Sequence, residues 1–244
     1  MTETVQAGPS VPPGAGHRTL GARLAGVLFS PRATYADIAA RPRWFGALLV
    51  VVIVGAASTF VFLSTEIGQQ ATFDQQVRTM EAFGMKLNDV ALQRMEQGLP
   101  RARYFGAASQ AVFFPLAGVL VAGIAFGVFN AILGADGTFR QVFAVVCHSG
   151  VVISLAQLFS LPLDYARETL SSPTSLAVFL PFLDESSFPA RFLGVIDLFQ
   201  VWWIVSLAIG LGVLYKRRTQ PILVSLFSIY LAIALVIAAI KSAA

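Results

Sequence analysis

"WFGALLVVVIVGAASTFVFLS" (residues 44–64) runs from end to end without a charged side chain. A hydrocarbon core about 30 Å thick needs roughly 20 helical residues at about 1.5 Å each, and this stretch has that length. A barrel strand of the same depth would alternate polar and apolar positions, and these residues do not alternate. Four further stretches repeat the pattern, at about 107–133, 142–163, 192–214 and 222–240. The sequence therefore predicts an all-α fold: a polytopic membrane helical bundle of five transmembrane helices.

Composition points the same way. The 244 residues are 56% hydrophobic and 12% charged, against roughly 25% charged in a soluble domain. Mean hydropathy is +0.73. The 17 Lys and Arg outnumber the 13 Asp and Glu. In a nucleic-acid binder that excess would cluster on a soluble face. Here the cations sit beside apolar runs, which suits anionic lipid headgroups and argues against nucleic acid. Arg18, Arg23, Arg41, Arg43, Lys216, Arg217 and Arg218 are the expected headgroup contacts. A single cysteine, Cys147, excludes an internal disulfide and a Cys-only metal site.

The segments between the spans carry their own signals. Residues 1–17, rich in Pro and Gly, read as a disordered tail with no secretory signal. Residues 18–43 read as an amphipathic pre-span segment on the membrane surface. Leu20, Leu24, Val27 and Leu28 share one face there; Ser30 is placed to cap a second helix with Pro31 in its first turn, and Pro42 stops it. Residues 65–106 read as an extramembrane helical hairpin between the first two spans. Asn88 caps its second limb and Pro100 follows that limb. The apolar run 176–183 is too short to cross and is expected to pack on helix ends.

The connection "GADGTFRQVF" (134–143) decides how the second and third spans meet. Gly134 suits the left-handed position just past a helix end. Asp136-Gly137 is a turn pair, and Thr138 with Gln141 has capping-box spacing. Gly134, Asp136, Gly137 and Thr138 thus form a hinge. "ARPRW" before the first span and "YKRRT" (215–219) put cations on short flanks, which favours a cytoplasmic N-terminus and an external C-terminus.

Polar residues inside spans are functional candidates. By depth, His148 lies roughly 9 Å below one boundary and Asp197 roughly 8 Å below the other. A His–Asp catalytic pair is therefore excluded on distance. Gln157, Ser58 and Gln200 lie at the level of Asp197, and Asn130 at the level of His148, giving a candidate intramembrane polar network. Asp197 reads either as a proton or cation site or as an acid that fixes helix packing. His148 reads either as a proton relay or ligand or as a neutral imidazole satisfied by Asn130 or a serine. Gly123 and Gly127 form a GxxxG pair expected to pack two helices closely. No HExxH, GxSxG or phosphate loop occurs, so no enzyme, cofactor or metal site is expected.

Three stretches in order resemble the Yip family of five-span membrane proteins. They are "SPRATYADIAARPRW" (30–44), "GADGTFRQVFAVVCHSG" (134–150) and "DLFQVWWIVSLAIGL" (197–211). The resemblance covers roughly 19–240, and the long 65–106 insert is similar to bacterial members. It implies a fold more than a mechanism. Eukaryotic members are linked to Rab GTPases and membrane shaping, and bacteria lack that machinery. The implied function is non-enzymatic: membrane organisation, or binding other integral membrane proteins, in a bacterial cytoplasmic membrane. The alternative is a small transporter or channel for protons, ions or a small solute, built on Asp197 and its polar neighbours.

Overall fold

The computed structural model describes residues 18–170, 172–184 and 187–243. The expected tail, 1–17, lies outside the described residues. The pre-span segment forms α1 (Leu20–Phe29) and α2 (Pro31–Ala40), and the first crossing is α3 (Phe45–Leu63). α4 (Glu66–Ala82) turns back against it. α5 (Asp89–Phe126) then runs as one helix into a π-helical stretch, Gly127–Ile132. α6 (Phe139–Ser149) and α7 (Val151–Arg167) follow end to end, separated by Gly150. A 3-10 turn (Leu176–Phe179) and α8 (Phe188–Val195) lead to α9 (Leu198–Leu214) and α10 (Thr219–Ala243). Among the described residues there is no strand, and one isolated bridge joins Ser175 to Asp197.

Among the described residues four helical stretches are long and apolar enough to cross a membrane: Phe45–Leu63, Asp89–Ile132, Phe139–Arg167 and Thr219–Ser242. α9 supplies the fifth, with 17 residues reaching about 26 Å, the short end of the spanning range. The all-α polytopic bundle stands.

The boundaries move in two places. The second limb of the hairpin expected over 65–106 does not stop before Pro100. That limb is the first part of α5, and the helix passes through both Pro100 and Pro115. Asn88 does cap that limb, its side chain accepting from the Ala91 N–H. The fourth span, expected over 192–214, is broken: α8 ends at Val195 and α9 starts at Leu198.

The pre-span segment also differs. Its apolar stripe faces the protein more than lipid. Val27, Tyr35 and Ile38 are buried in the main core with Val142, Val145, Leu207 and Leu211. Tyr35 Oη shares a 2.7 Å hydrogen bond with Ser206 Oγ of α9. Burial raises the Tyr35 phenol well above its ordinary pKa, so it stays neutral. Ser30 makes no side-chain cap; Pro31 opens α2 instead. The apolar residues that α1 leaves outside the bundle are Leu20 and Phe29, the latter 86% exposed.

Close helix packing uses other glycines than the GxxxG pair. A Cβ on Gly123 or Gly127 would meet nothing within 4 Å, so these two pack no helices together among the described residues. The tight contacts are elsewhere. A Cβ on Gly55 would lie 2.5 Å from the Phe114 ring, and one on Gly106 2.8 Å from Leu63 Cδ1, at the α3–α5 seam. A Cβ on Gly210 would lie 2.5 Å from Val145 Cγ1 and 3.0 Å from the Tyr35 ring, where α9 meets α6 and α2. Without a hydrophobic force between helices in lipid, such close backbone approach is what holds them together.

These contacts give a testable contrast. Gly210→Ala should destabilise the fold by about 1–3 kcal/mol through overpacking, read by denaturant titration in detergent. Gly123→Ala should be neutral or gain up to about 1 kcal/mol from helix propensity. Equal losses in the two variants would refute this assignment of the packing faces.

Candidate functional site: a basic end and a polar cavity

Three short connections meet at one end of the bundle: Arg41–Trp44 before α3, Leu133–Thr138 before α6, and Tyr215–Arg218 before α10. Asn130 ties two of them. Its Nδ2 donates to the Gly137 carbonyl at 2.7 Å, and its Oδ1 accepts from Tyr215 Oη at 2.7 Å. Burial pushes the Tyr215 phenol up to about 12, so it remains a donor. Gly137 is required there, since a Cβ would lie 2.7 Å from the Tyr215 ring. The third connection joins through Arg140 Nε, which donates to the Pro42 carbonyl at 3.2 Å, and Gln141 Nε2, which donates to the Ala39 carbonyl at 3.0 Å.

The hinge has the expected parts in altered form. Gly134 has φ +59, the left-handed conformation that glycine adopts at no steric cost. Thr138 and Gln141 form the full capping box. Asp136 and Gly137 do not make a regular turn; the strand of backbone is held instead by Asn130 and Tyr215.

The cations at this end divide into two groups. Arg43, Arg140, Lys216, Arg217 and Arg218 are exposed, as is Arg41. Arg23 is not: it is 4% exposed. Its Nε lies 2.8 Å from Asp37 Oδ2 and its Nη1 donates to the Arg41 carbonyl at 3.2 Å. Arg18 Nη1 donates to Thr34 Oγ1 at 2.7 Å. Arg23 is thus a clamp between α1 and α2 and is removed from the set of headgroup contacts. A buried guanidinium is tolerable because a carboxylate and a carbonyl take up its donors.

Asp197 lies at the opposite end, and not within a span. It is the N-cap of α9: Oδ1 accepts from the Phe199 and Gln200 N–H groups at 2.8 and 3.1 Å. Oδ2 accepts from the hydroxyls of Ser172 and Thr174. The Asp197 N–H donates to Tyr230 Oη at 3.1 Å, and that hydroxyl donates to the Val195 carbonyl at 2.7 Å. The break before α9 explains the shift. A carboxylate deep in a helix is costly, whereas one at a helix start meets free N–H groups and the positive end of the dipole. Nothing in "SPT" (172–174) announces its pairing with an acid 25 residues on.

Asp197 also borders a cavity of about 710 Å³ among α3, α4, α5, α7 and α9, lined by polar and apolar side chains. Ser58, Gln157 and Gln200 line the same cavity. The four residues expected at one depth therefore share one space, although the Asp197 carboxylate bonds to Ser172 and Thr174. The second expected group does not form. His148 is fully buried, and its Nδ1 lies 2.8 Å from the Ala144 carbonyl, which makes Nδ1 the protonated nitrogen. Neither Asn130 nor a serine reaches it, and Nε2 has no partner. Among the described residues no group of His, Cys, Asp and Glu is placed to hold a metal ion.

Five apolar crossings, short basic connections at one end and a capped, hydroxyl-lined opposite end define a multi-pass helical membrane protein. The family follows from the sequence match: residues 25–240 fit the Yip1 domain, and the chain belongs to that family. It is similar to a Bacillus subtilis (strain 168) protein named "Membrane protein YknW". The two are 25% identical over 229 residues, covering 91% of this chain and 92% of the relative. No solved structure matches the chain.

The Asp197 cap makes a direct prediction. Asp197→Ala removes four accepted hydrogen bonds and should lower stability by about 2–3 kcal/mol. Asp197→Asn keeps the backbone cap and should recover about half of that. Denaturant titration of the two variants in detergent tests the ordering; an Ala variant as stable as the parent would rule out the capping role.

Proposed function

We propose that the protein is a non-enzymatic organiser of the membrane, holding one leaflet with its basic end and binding other integral membrane proteins within the bilayer. The carrying observation is the convergence of Arg41, Arg43, Arg140, Lys216, Arg217 and Arg218 on one end, in connections locked together by hydrogen bonds. A rigid cationic rim of this kind attracts anionic headgroups, each cation near the surface contributing about 1 kcal/mol. Phe45, exposed at the start of α3 two residues after Arg43, supplies an apolar anchor beside it. The rim faces the cytoplasm of a bacterial cytoplasmic membrane in this reading, with the C-terminus outside. Transport through Asp197 is less well supported, because its carboxylate oxygens are already engaged as a cap.

Two measurements test the proposal. Arg217→Gln/Arg218→Gln should reduce co-purifying phosphatidylglycerol severalfold by native mass spectrometry, while Arg23→Gln should lower stability without changing lipid selectivity. Unchanged lipid retention in the double variant argues against the rim. For orientation, Asp89→Cys should react with an impermeant thiol reagent from outside the cell; labelling confined to the cytoplasmic side reverses the topology. Affinity purification in mild detergent then identifies co-purifying membrane proteins, and recovery of none leaves the organiser role without a partner.

A further inference from the structure

A second, smaller cavity of about 260 Å³ adjoins the larger one, and Ile153 and Gln200 line both. The two are stacked along the bundle, because the helices pass them in one order. α5 runs from the end that holds Asp197 toward the basic end. Its residues between 102 and 110 border the larger cavity, and those between 113 and 121 the smaller. α9 runs the same way, with Phe199 on the larger and Trp203 on the smaller. α3 runs back, with Val51 on the smaller and Ser58 on the larger. α6 and α7 agree with α3, through Cys147 and then Ser160.

The chemistry changes along that order. Apart from Gln200 and the Cys147 thiol, the smaller cavity is lined by apolar residues. The larger one carries hydroxyl and amide groups among its apolar residues, with Gln76, Ser160 and Gln200 among them. Its lining holds no Lys or Arg among the described residues. Its two carboxyl groups are compensated, Asp197 by four donors and Asp164 by the nearby charge of Arg167. A phosphate there would meet carboxylates without a cation on the wall. The larger cavity therefore suits a group that is uncharged and rich in hydroxyls.

Size and access select the rest of the ligand. From 105 to 121, α5 rises about 24 Å past both cavities. One leaflet, headgroups included, is about 20–22 Å deep. The smaller cavity, at about 260 Å³, exceeds the roughly 150 Å³ in which an apolar cavity already holds benzene. Phe105 borders the larger cavity and Phe113 the smaller, and both are widely exposed on the outside of the bundle. That wall faces lipid, and an apolar space on it is filled by an acyl chain. We propose that the two cavities together bind one lipid of the leaflet opposite the basic rim. Its headgroup, an uncharged polyhydroxy group such as a single sugar, occupies the larger cavity, and an acyl chain occupies the smaller one. Gln200 stands where headgroup meets chain. The site uses none of the rim residues, so it is independent of the membrane-organising role.

The test uses the full chain in nanodiscs of phosphatidylcholine that carry equal small fractions of monoglucosyl diacylglycerol and phosphatidylglycerol. Native mass spectrometry reads the lipids retained on release. One glycolipid per chain is expected, held above its share of the bilayer. Ala117→Phe fills the smaller cavity and should cut glycolipid retention severalfold. Gln200→Leu keeps the size and removes the amide, and should cut it about fivefold, as for one lost hydrogen bond. Arg217→Gln/Arg218→Gln should leave glycolipid retention unchanged; its phosphatidylglycerol retention tests the rim separately. Glycolipid held no more than its share of the bilayer, or less than either phospholipid, overturns the proposal. Loss of glycolipid in the rim variant overturns it too, because the lipid is then bound at the other end. Thermal melting shows which cavity variants fold, and parent-like glycolipid retention in either folded variant counts against the site.

Discussion

Hydrocarbon offers no hydrogen-bond partners, and this constraint shapes the whole chain. Every backbone N–H and C=O within the bilayer must find its partner inside the protein. Helices do so automatically along their length and fail only at their ends. The structure concentrates its specific polar chemistry at those ends. Thr138 and Gln141 close the start of α6 reciprocally. Asp197 takes two N–H groups of α9, and Tyr230 bridges the gap left where α8 stops. At Gly150 the break is slight, because its N–H still reaches the Val146 carbonyl at 3.1 Å. The polar residues that look like chemistry within an apolar sequence are largely answers to this backbone problem.

Association of the helices then needs a second device, since lipid tails are as apolar as leucine. Two are visible. Glycines at Gly55, Gly106 and Gly210 bring neighbouring elements within reach of one another. Buried polar contacts fix the orientation, with Tyr35–Ser206 joining α2 to α9 and Arg23–Asp37 joining α1 to α2. Both polar contacts involve the pre-span segment. That segment is therefore part of the bundle's core at one face, and at the other still presents Phe29 outward. A helix can be both packed and interfacial when its two faces meet different surroundings, which a single apolar stripe read along the sequence does not distinguish.

What was legible follows from range. The crossings were readable because apolar run length is set by bilayer thickness, a property of each segment alone. The hinge at Gly134 and the Thr138–Gln141 box were readable because caps act within four residues. Apart from the missing Ser30 cap and the helix that runs through Pro100, the failures involve partners distant in sequence. Ser172 and Thr174 meet Asp197 only after α8 has folded back. Arg23 looked like a surface cation because nothing local reveals Asp37 beside it. Gly123 and Gly127 have the spacing of a packing motif, but among the described residues nothing lies against them, while the isolated Gly55 and Gly210 carry the contacts. Spacing identifies a helix face; only the fold says what lies against it.

The same distinction separates the two ends of the molecule. At the basic end, charge is exposed beside an exposed aromatic ring, Phe45, and asks for a partner of opposite charge on a flat surface, which a bilayer supplies. At the far end, the protein meets the Asp197 carboxylate with four donors of its own. One chain thus presents charge that looks outward at one end and charge closed off within the protein at the other. The family match covers both ends within residues 25–240. The two ends differ for one reason: a cation at headgroup level keeps water and lipid phosphate as partners, whereas a carboxylate at a helix start inside the bundle must be met by N–H and hydroxyl donors that the protein itself supplies.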